Sequence, residues 1–93
     1  MKLSELLKGL DYTGEYEDRE VTDVTQDSRL VKEGFLFICI KGASFDGHSV
    51  AAEMLEKGAA AVVCDHDLGL KNQIITSNTR NAYSILCANY YGN

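Results

Sequence analysis

No G-x-x-x-x-G-K-[ST], no G-x-G-x-x-G and no G-x-S-x-G occurs in the 93 residues. A P-loop, a dinucleotide fingerprint and a nucleophile elbow are therefore excluded from this stretch. No pair of carboxylates sits in apolar surroundings that would tune its acidity, so no catalytic residue is expected here. Cys39, Cys64 and Cys87 are odd in number and lack C-x-x-C spacing. Each lies in an apolar segment, which points to buried free thiols of a reducing cytosol and away from a nucleophile. His48 and His66 have no Cys or His at ligand spacing, so no metal site is expected. Asp65, His66 and Asp67 read as a solvated loop of mixed charge.

Long apolar runs are also missing. None approaches the roughly 18 residues of a bilayer span, so no membrane partner is expected. Met1-Lys2-Leu3 leads into SELLKGL and not into a long apolar leader. Basic residues are few: nine Lys and Arg stand against 14 Asp and Glu, a net charge of -5. That balance disfavours nucleic acid as a partner, although a local site can oppose the global sign. There is no proline, no repeat and no low-complexity tract. Together with the ending YYGN straight after a helical pattern, the missing proline suits a fragment cut at a domain boundary.

What is present reads as one small α/β domain. Leu3, Leu6, Leu7 and Leu10 share one face of a short helix. VTDVTQ (21–26) is β-branched and reads as a strand. FLFICI (35–40) does not alternate, so both its faces are expected to be covered. Residues 46–58 read as a helix capped by Asp46 or Ser49 and ended by Gly58. AAAVVC (59–64) and QIIT (73–76) are further strands. Ala82, Ile85, Leu86, Asn89 and Tyr90 form the docking stripe of a last helix. The expected fold is a small mixed sheet of about four strands flanked by three helices. The mixed character follows from residues 28–34, which are too few for a parallel crossover of at least about 10 residues.

Polar clusters bracket the buried 35–40 strand. Asp27-Ser28-Arg29 offers a hydroxyl and a fork that matches phosphate, at a strand end of the kind that lines ligand crevices. From the residues alone an Asx or Ser turn with a solvated Arg is the preferred account of it. Lys41-Gly42 lets backbone approach a ligand or simply turns the chain. FDGHS is either an anion-binding helix start or a helix capped by its own Asp46.

The stretches VTQDSRLVKEGFLFICIKGASFDGHSVAAEMLEKGAAAVVCD and TRNAYSILCANYYGN, with MKLSELLKGL before them, resemble the N-terminal domain of the Mur ligases. The most specific parts are D-S-R six residues before the buried strand, D-G-H opening a helix, and GAAAVV. The resemblance implies an ATP-dependent amide ligase of cytoplasmic peptidoglycan precursor synthesis in bacteria. It implies three domains, with residues 1–93 forming only the first, which holds the UDP end of UDP-N-acetylmuramoyl-dipeptide. The central domain would carry ATP and magnesium, and the third the incoming amino acid. This stretch alone is then expected to be inactive, with the rest of the same polypeptide as its partner. The branch that extends UDP-N-acetylmuramoyl-L-alanyl-D-glutamate fits best, and the ending ANYYGN supports it. The branch that adds D-alanyl-D-alanine is the alternative, and a ligand-free α/β interaction module a further one. By position in the family motif, Ser28, Gln26 and the triplet Ala43, Ser44 and Phe45 are implied to contact the UDP part. Some relatives carry a His-Gln-Ala type triplet at 43–45, so the match there is one of position only.

Overall fold

A computed structural model describes residues 1–92 of the chain. Asn93, the last residue of the ending noted above, lies outside them. The helices are α1 (Leu3–Leu6), α2 (Ala51–Glu56) and α3 (Thr79–Tyr91), and the strands β1 (Asp23–Thr25), β2 (Phe35–Ile38), β3 (Ala61–Cys64) and β4 (Gln73–Ile75). Short 3-10 turns at Ser28–Leu30 and Gly47–Val50 complete the order.

The strands lie side by side in the order β1-β2-β3-β4, and all three pairings are parallel. The expected four strands and three helices are found among the described residues, but the sheet is parallel rather than mixed. β1 pairs with β2 in the register Asp23 to Phe35, Val24 to Leu36 and Thr25 to Phe37. The minimum crossover length assumed a helix long enough to retrace a full strand. β1 has three residues, a rise of only about 10 Å. Residues 26–34, with one 3-10 turn, cover that return. Antiparallel contact among the described residues is confined to single bridges, such as Thr13 with Ile75 at the β4 edge.

The missing alternation in 35–40 now has its cause. Leu36 and Ile38 face one core with α1 and α3, built on Leu3, Leu6, Leu7, Ala82 and Leu86. Phe37 and Cys39 face a second core with Ala51 and Met54 of α2. β3 splits the same way, Ala61 and Val63 to the first side, Val62 and Cys64 to the second. Period-two side-chain direction is intact, but every position is apolar because both faces are covered.

Asn89 interrupts the apolar stripe of α3 for a definite reason. Its side-chain amide donates to the carbonyls of Leu6 and Lys8, both at 2.8 Å. The end of α1 leaves carbonyls without helical partners, and Asn89 satisfies them from the neighbouring helix. Tyr90 Oη likewise donates to the Thr22 carbonyl at 2.6 Å.

Cys39 and Cys64 are fully buried, whereas Cys87 is half-buried. Burial pushes the Cys39 thiol up to about 12 and the Cys64 thiol up to about 11. Because the thiolate is the reactive species, native protein should lose Cys87 first to a maleimide reagent. Cys39 and Cys64 should react only as fast as the domain opens. Mass mapping of the labelled sites checks this, and prompt native labelling of Cys39 would contradict the doubly covered β2.

Candidate functional site: a groove at the carboxyl edge of the sheet

Parallel pairing sends the loops after β1 and β2 out of the same edge of the sheet. Both polar clusters that bracket β2 therefore meet there, outside the carboxyl ends of the strands, where α/β folds place ligands.

The first loop starts from Thr25, whose Oγ1 accepts the Asp27 amide at 3.0 Å. Asp27 then caps the 3-10 turn Ser28–Leu30 by accepting the Arg29 amide at 2.9 Å. The same carboxylate takes the Arg29 guanidinium, with Nε at 3.0 Å and Nη2 at 2.9 Å. These bonds, the Arg29 side chain first, hold the Asp27 carboxyl below its ordinary value. The Asx-turn reading of D-S-R is thus correct for Asp27 and Arg29. Ser28 differs. Its carbonyl receives Lys57 Nζ at 3.3 Å, while its hydroxyl makes no hydrogen bond among the described residues.

The second loop, residues 40–47, is a tight reversal. Gly42 donates to the Phe45 carbonyl at 2.8 Å and Gly47 to the Ile40 carbonyl at 3.0 Å. Gly47 is tightly placed: a Cβ there would lie 3.0 Å from Ile40 N and 3.1 Å from Cys39 Cα, so the neighbouring backbone would have to give by a few tenths of an ångström. Asp46 caps the following 3-10 turn through the His48 amide at 3.0 Å, so FDGHS is capped by its own Asp46, whereas the α-helix expected over 46–58 begins only at Ala51, with Val50 at its N-cap. Phe45, at the tip, is 50% exposed.

His48 locks this loop to the rest of the edge. Its side chain is only 6% exposed. Nε2 accepts the Asp65 amide at 3.1 Å, so Nδ1 carries the proton that Asp46 Oδ1 accepts at 2.6 Å. The fold also stacks His66 on His48, with ring centroids 4.9 Å apart. The two histidines are therefore neighbours in space and not isolated. Ligand atoms of His48, Asp65 and His66 lie within 4.8 Å of one another. However, both His48 nitrogens already have protein partners, so the arrangement is a clamp and not an open metal centre. Asp65, His66 and Asp67 are exposed as expected, yet Asp67 is organised, accepting Gln73 Nε2 at 2.7 Å and the Gly69 amide at 2.8 Å.

Two cavities open beside the loops that follow β1 and β2. One, of about 540 Å³, is lined by Gln26, Asp27, Ser28, Arg29 and Phe45. The other, of about 310 Å³, is lined by Gln26, Ile40, Gly42, Ala43, Ser44, Phe45 and Arg80. Gln26 and Phe45 belong to both, which makes them two halves of one groove. All five residues named from the sequence, Gln26, Ser28, Ala43, Ser44 and Phe45, lie on it. Arg80 was not among them. Only the fold brings the start of α3 to this edge, where Arg80 Nη2 donates to the Lys41 carbonyl at 3.0 Å.

Residues 20–89, well over half of the chain, match the model of the Mur ligase family, catalytic domain. The chain belongs to the Mur ligase family. A UDP-N-acetylmuramoyl-L-alanyl-D-glutamate–2,6-diaminopimelate ligase of Syntrophomonas wolfei is 46% identical over 99% of the chain, and one of Clostridium botulinum is 40% identical over all of it. The chain spans about a fifth of the length of each of these ligases. Among solved structures, MurF from Acinetobacter baumannii superposes with a TM-score of 0.75 at 23% identity, over 92% of this chain and 20% of that one. MurF from Thermotoga maritima, in complex with ADP, gives 0.68 at 26% identity, over 78% and 17%. The fold of this Mur ligase segment is thus shared with full-length members of the family.

The D-G-H stretch gives a pH test. The His48 side chain first, then its amide, holds the Asp46 carboxyl below its ordinary value. Folding lowers this pKa, so the unfolded chain binds the proton more readily. The stabilisation is complete above the unfolded value of about 3.9 and fades as pH falls through the lowered folded value. Asp46→Asn should therefore lower Tm at neutral pH, and its gap to the parent should close between about pH 5 and about pH 2. Paired melting curves across that range measure the gap, and a constant gap would show that the ionised Asp46 contributes nothing.

Proposed function

We propose that residues 1–93 are the UDP-substrate-binding domain of a MurE-type ligase. That enzyme uses ATP to join an amino acid to UDP-N-acetylmuramoyl-L-alanyl-D-glutamate. Its central domain would hold ATP and magnesium and its third domain the amino acid, both outside this stretch. The observation that carries the reading is the groove at the carboxyl edge. Ser28, whose hydroxyl lacks a partner among the described residues, faces it together with Gln26 and the 43–45 triplet. A nucleotide offers the hydroxyls, carbonyls and ring face that such a set engages.

Sequence favours MurE over MurF. Curated relatives named as diaminopimelate ligases reach 36–46% identity across nearly the whole chain, against 22–26% for the MurF structures. The same reading assigns the enzyme to the bacterial cytoplasm. No helix of the described residues is long and apolar enough to cross a membrane. A ligand-free interaction module leaves the groove and its free hydroxyl without a purpose.

Two measurements test this. In the full-length enzyme, Ser28→Ala should raise KM for the nucleotide substrate about fivefold, one hydrogen bond of about 1 kcal/mol, with Tm unchanged. An unchanged KM, or a collapsed fold, would remove Ser28 from the ligand. In the isolated chain, UDP and UDP-N-acetylmuramic acid should shift NMR resonances at residues 26–29 and 42–46, with a dissociation constant in the high-micromolar to millimolar range, about -4 to -6 kcal/mol. ATP should give neither specific shifts nor turnover. ATP hydrolysis, or UDP shifts confined to the opposite edge, would overturn the assignment.

A further inference from the structure

Arg80 stands where local energetics disfavour it. It is the second residue of α3, after the N-cap Asn78 and Thr79. A helix start carries partial positive charge, so an acidic residue is preferred there and a cation is not. The chain holds 14 Asp and Glu, yet no carboxylate pairs with Arg80 among the described residues. Arg19 and Arg29, by contrast, each have a carboxylate partner, Glu17 and Asp27.

Its one hydrogen bond runs from Nη2 to the Lys41 carbonyl at 3.0 Å. That contact holds the guanidinium against the 42–45 turn, and four of its five N–H groups have no partner among the described residues. The half-groove it lines also receives Ala43, Ser44 and Phe45. The backbone N–H groups of these three have no acceptor among the described residues. The residues that carry the unpaired guanidinium and the three open amides line one cavity, and such groups favour an anion.

We propose that Arg80 is the diphosphate-reading residue of the groove, binding phosphate oxygens through its free N–H groups while Nη2 stays on Lys41. The proposal rests on the nucleotide-site reading above and adds the group that recognises charge. The nucleoside would then occupy the half lined by Ser28. Arginine suits the position better than lysine, because one planar fork bonds the turn and an oxyanion together.

The test is titration of the chain with UDP and with uridine, followed by NMR of the arginine Nε–H groups and of the backbone. In the parent, UDP should move the Arg80 Nε resonance and uridine should leave it in place. Arg80→Gln should weaken UDP binding about tenfold or more, as loss of a charge-assisted contact does, and Arg80→Lys should recover only part of it. Raising salt should weaken UDP binding in the parent more than in Arg80→Gln. Unchanged UDP affinity in Arg80→Gln, or an Arg80 Nε resonance that ignores saturating UDP or follows uridine equally, would overturn the proposal while the nucleotide site stood. Absence of UDP binding by the parent would remove both. Should Arg80→Gln fail to fold, the parent's Nε response decides alone.

Discussion

Burial of β2 and β3 on both faces is the constraint on which the other features depend. Leu36, Phe37, Ile38, Ala61, Val62 and Val63 are all fully buried. Consecutive residues feed different cores, so a slip of one residue would exchange Leu36 and Ile38 for Phe37 and Cys39. The two cores are not interchangeable. One receives leucines from α1 and α3, the other Met54 and Ala51 from the single helix α2. Register is therefore pinned from both sides, and with it the points at which the chain leaves the sheet. Each buried Leu, Ile or Phe side chain contributes about 1.5–3 kcal/mol, so the rib is the stiffest part of a small domain.

That stiffness matters because one loop of the groove leaves β2 itself and another leaves β1, which is paired to it. The 26–30 turn hangs from Thr25 and the 40–47 reversal from Cys39, whose amide donates to Val63 at 2.8 Å. Apart from Ile40, which packs against the first core at the start of the reversal, neither loop is anchored by a large hydrophobic side chain of its own. Leu30 and Phe45 are both exposed. Shape is instead maintained by short-range polar bonds: Asp27 on its own turn, Asp46 on His48, and His48 across to Asp65. A rigid sheet edge carrying polar-stapled loops is a common way to hold ligand groups in place while keeping them wet.

Much of this was legible in the sequence, and the parts that were not share a cause. Apolar runs and turn residues are local signals, so the element order, the covered 35–40 strand and Asp46 as one of two candidate caps could be read directly. Strand direction is not local. A loop-length rule gave a mixed sheet because it knew nothing of how short β1 is. The consequence reached the site, since only parallel pairing brings the 26–29 and 42–45 loops to one edge. Proximity was hidden for the same reason. His48 and His66 look isolated along the chain but stack once Asp65 follows β3. Arg80 sits 35 or more positions from the other groove residues, and the one signal for it was a cation at a helix start in an acidic chain.

The D-S-R motif also shows how a charge can be present without being available. Asp27 holds the Arg29 side chain with two of its N–H groups and the Arg29 amide as well. The pair is nearly neutral from outside, and its exposed position makes the bridge itself of little worth to stability. What it achieves is geometric. It closes the turn and turns Ser28 toward the groove, next to Gln26, as uncharged donors and acceptors. Such groups discriminate among neutral polar partners and gain little from an anion. In a chain of net charge -5, a negatively charged ligand in this groove would depend on open backbone amides and on a cation that no carboxylate has claimed. Among the groove residues, that condition leaves Arg80.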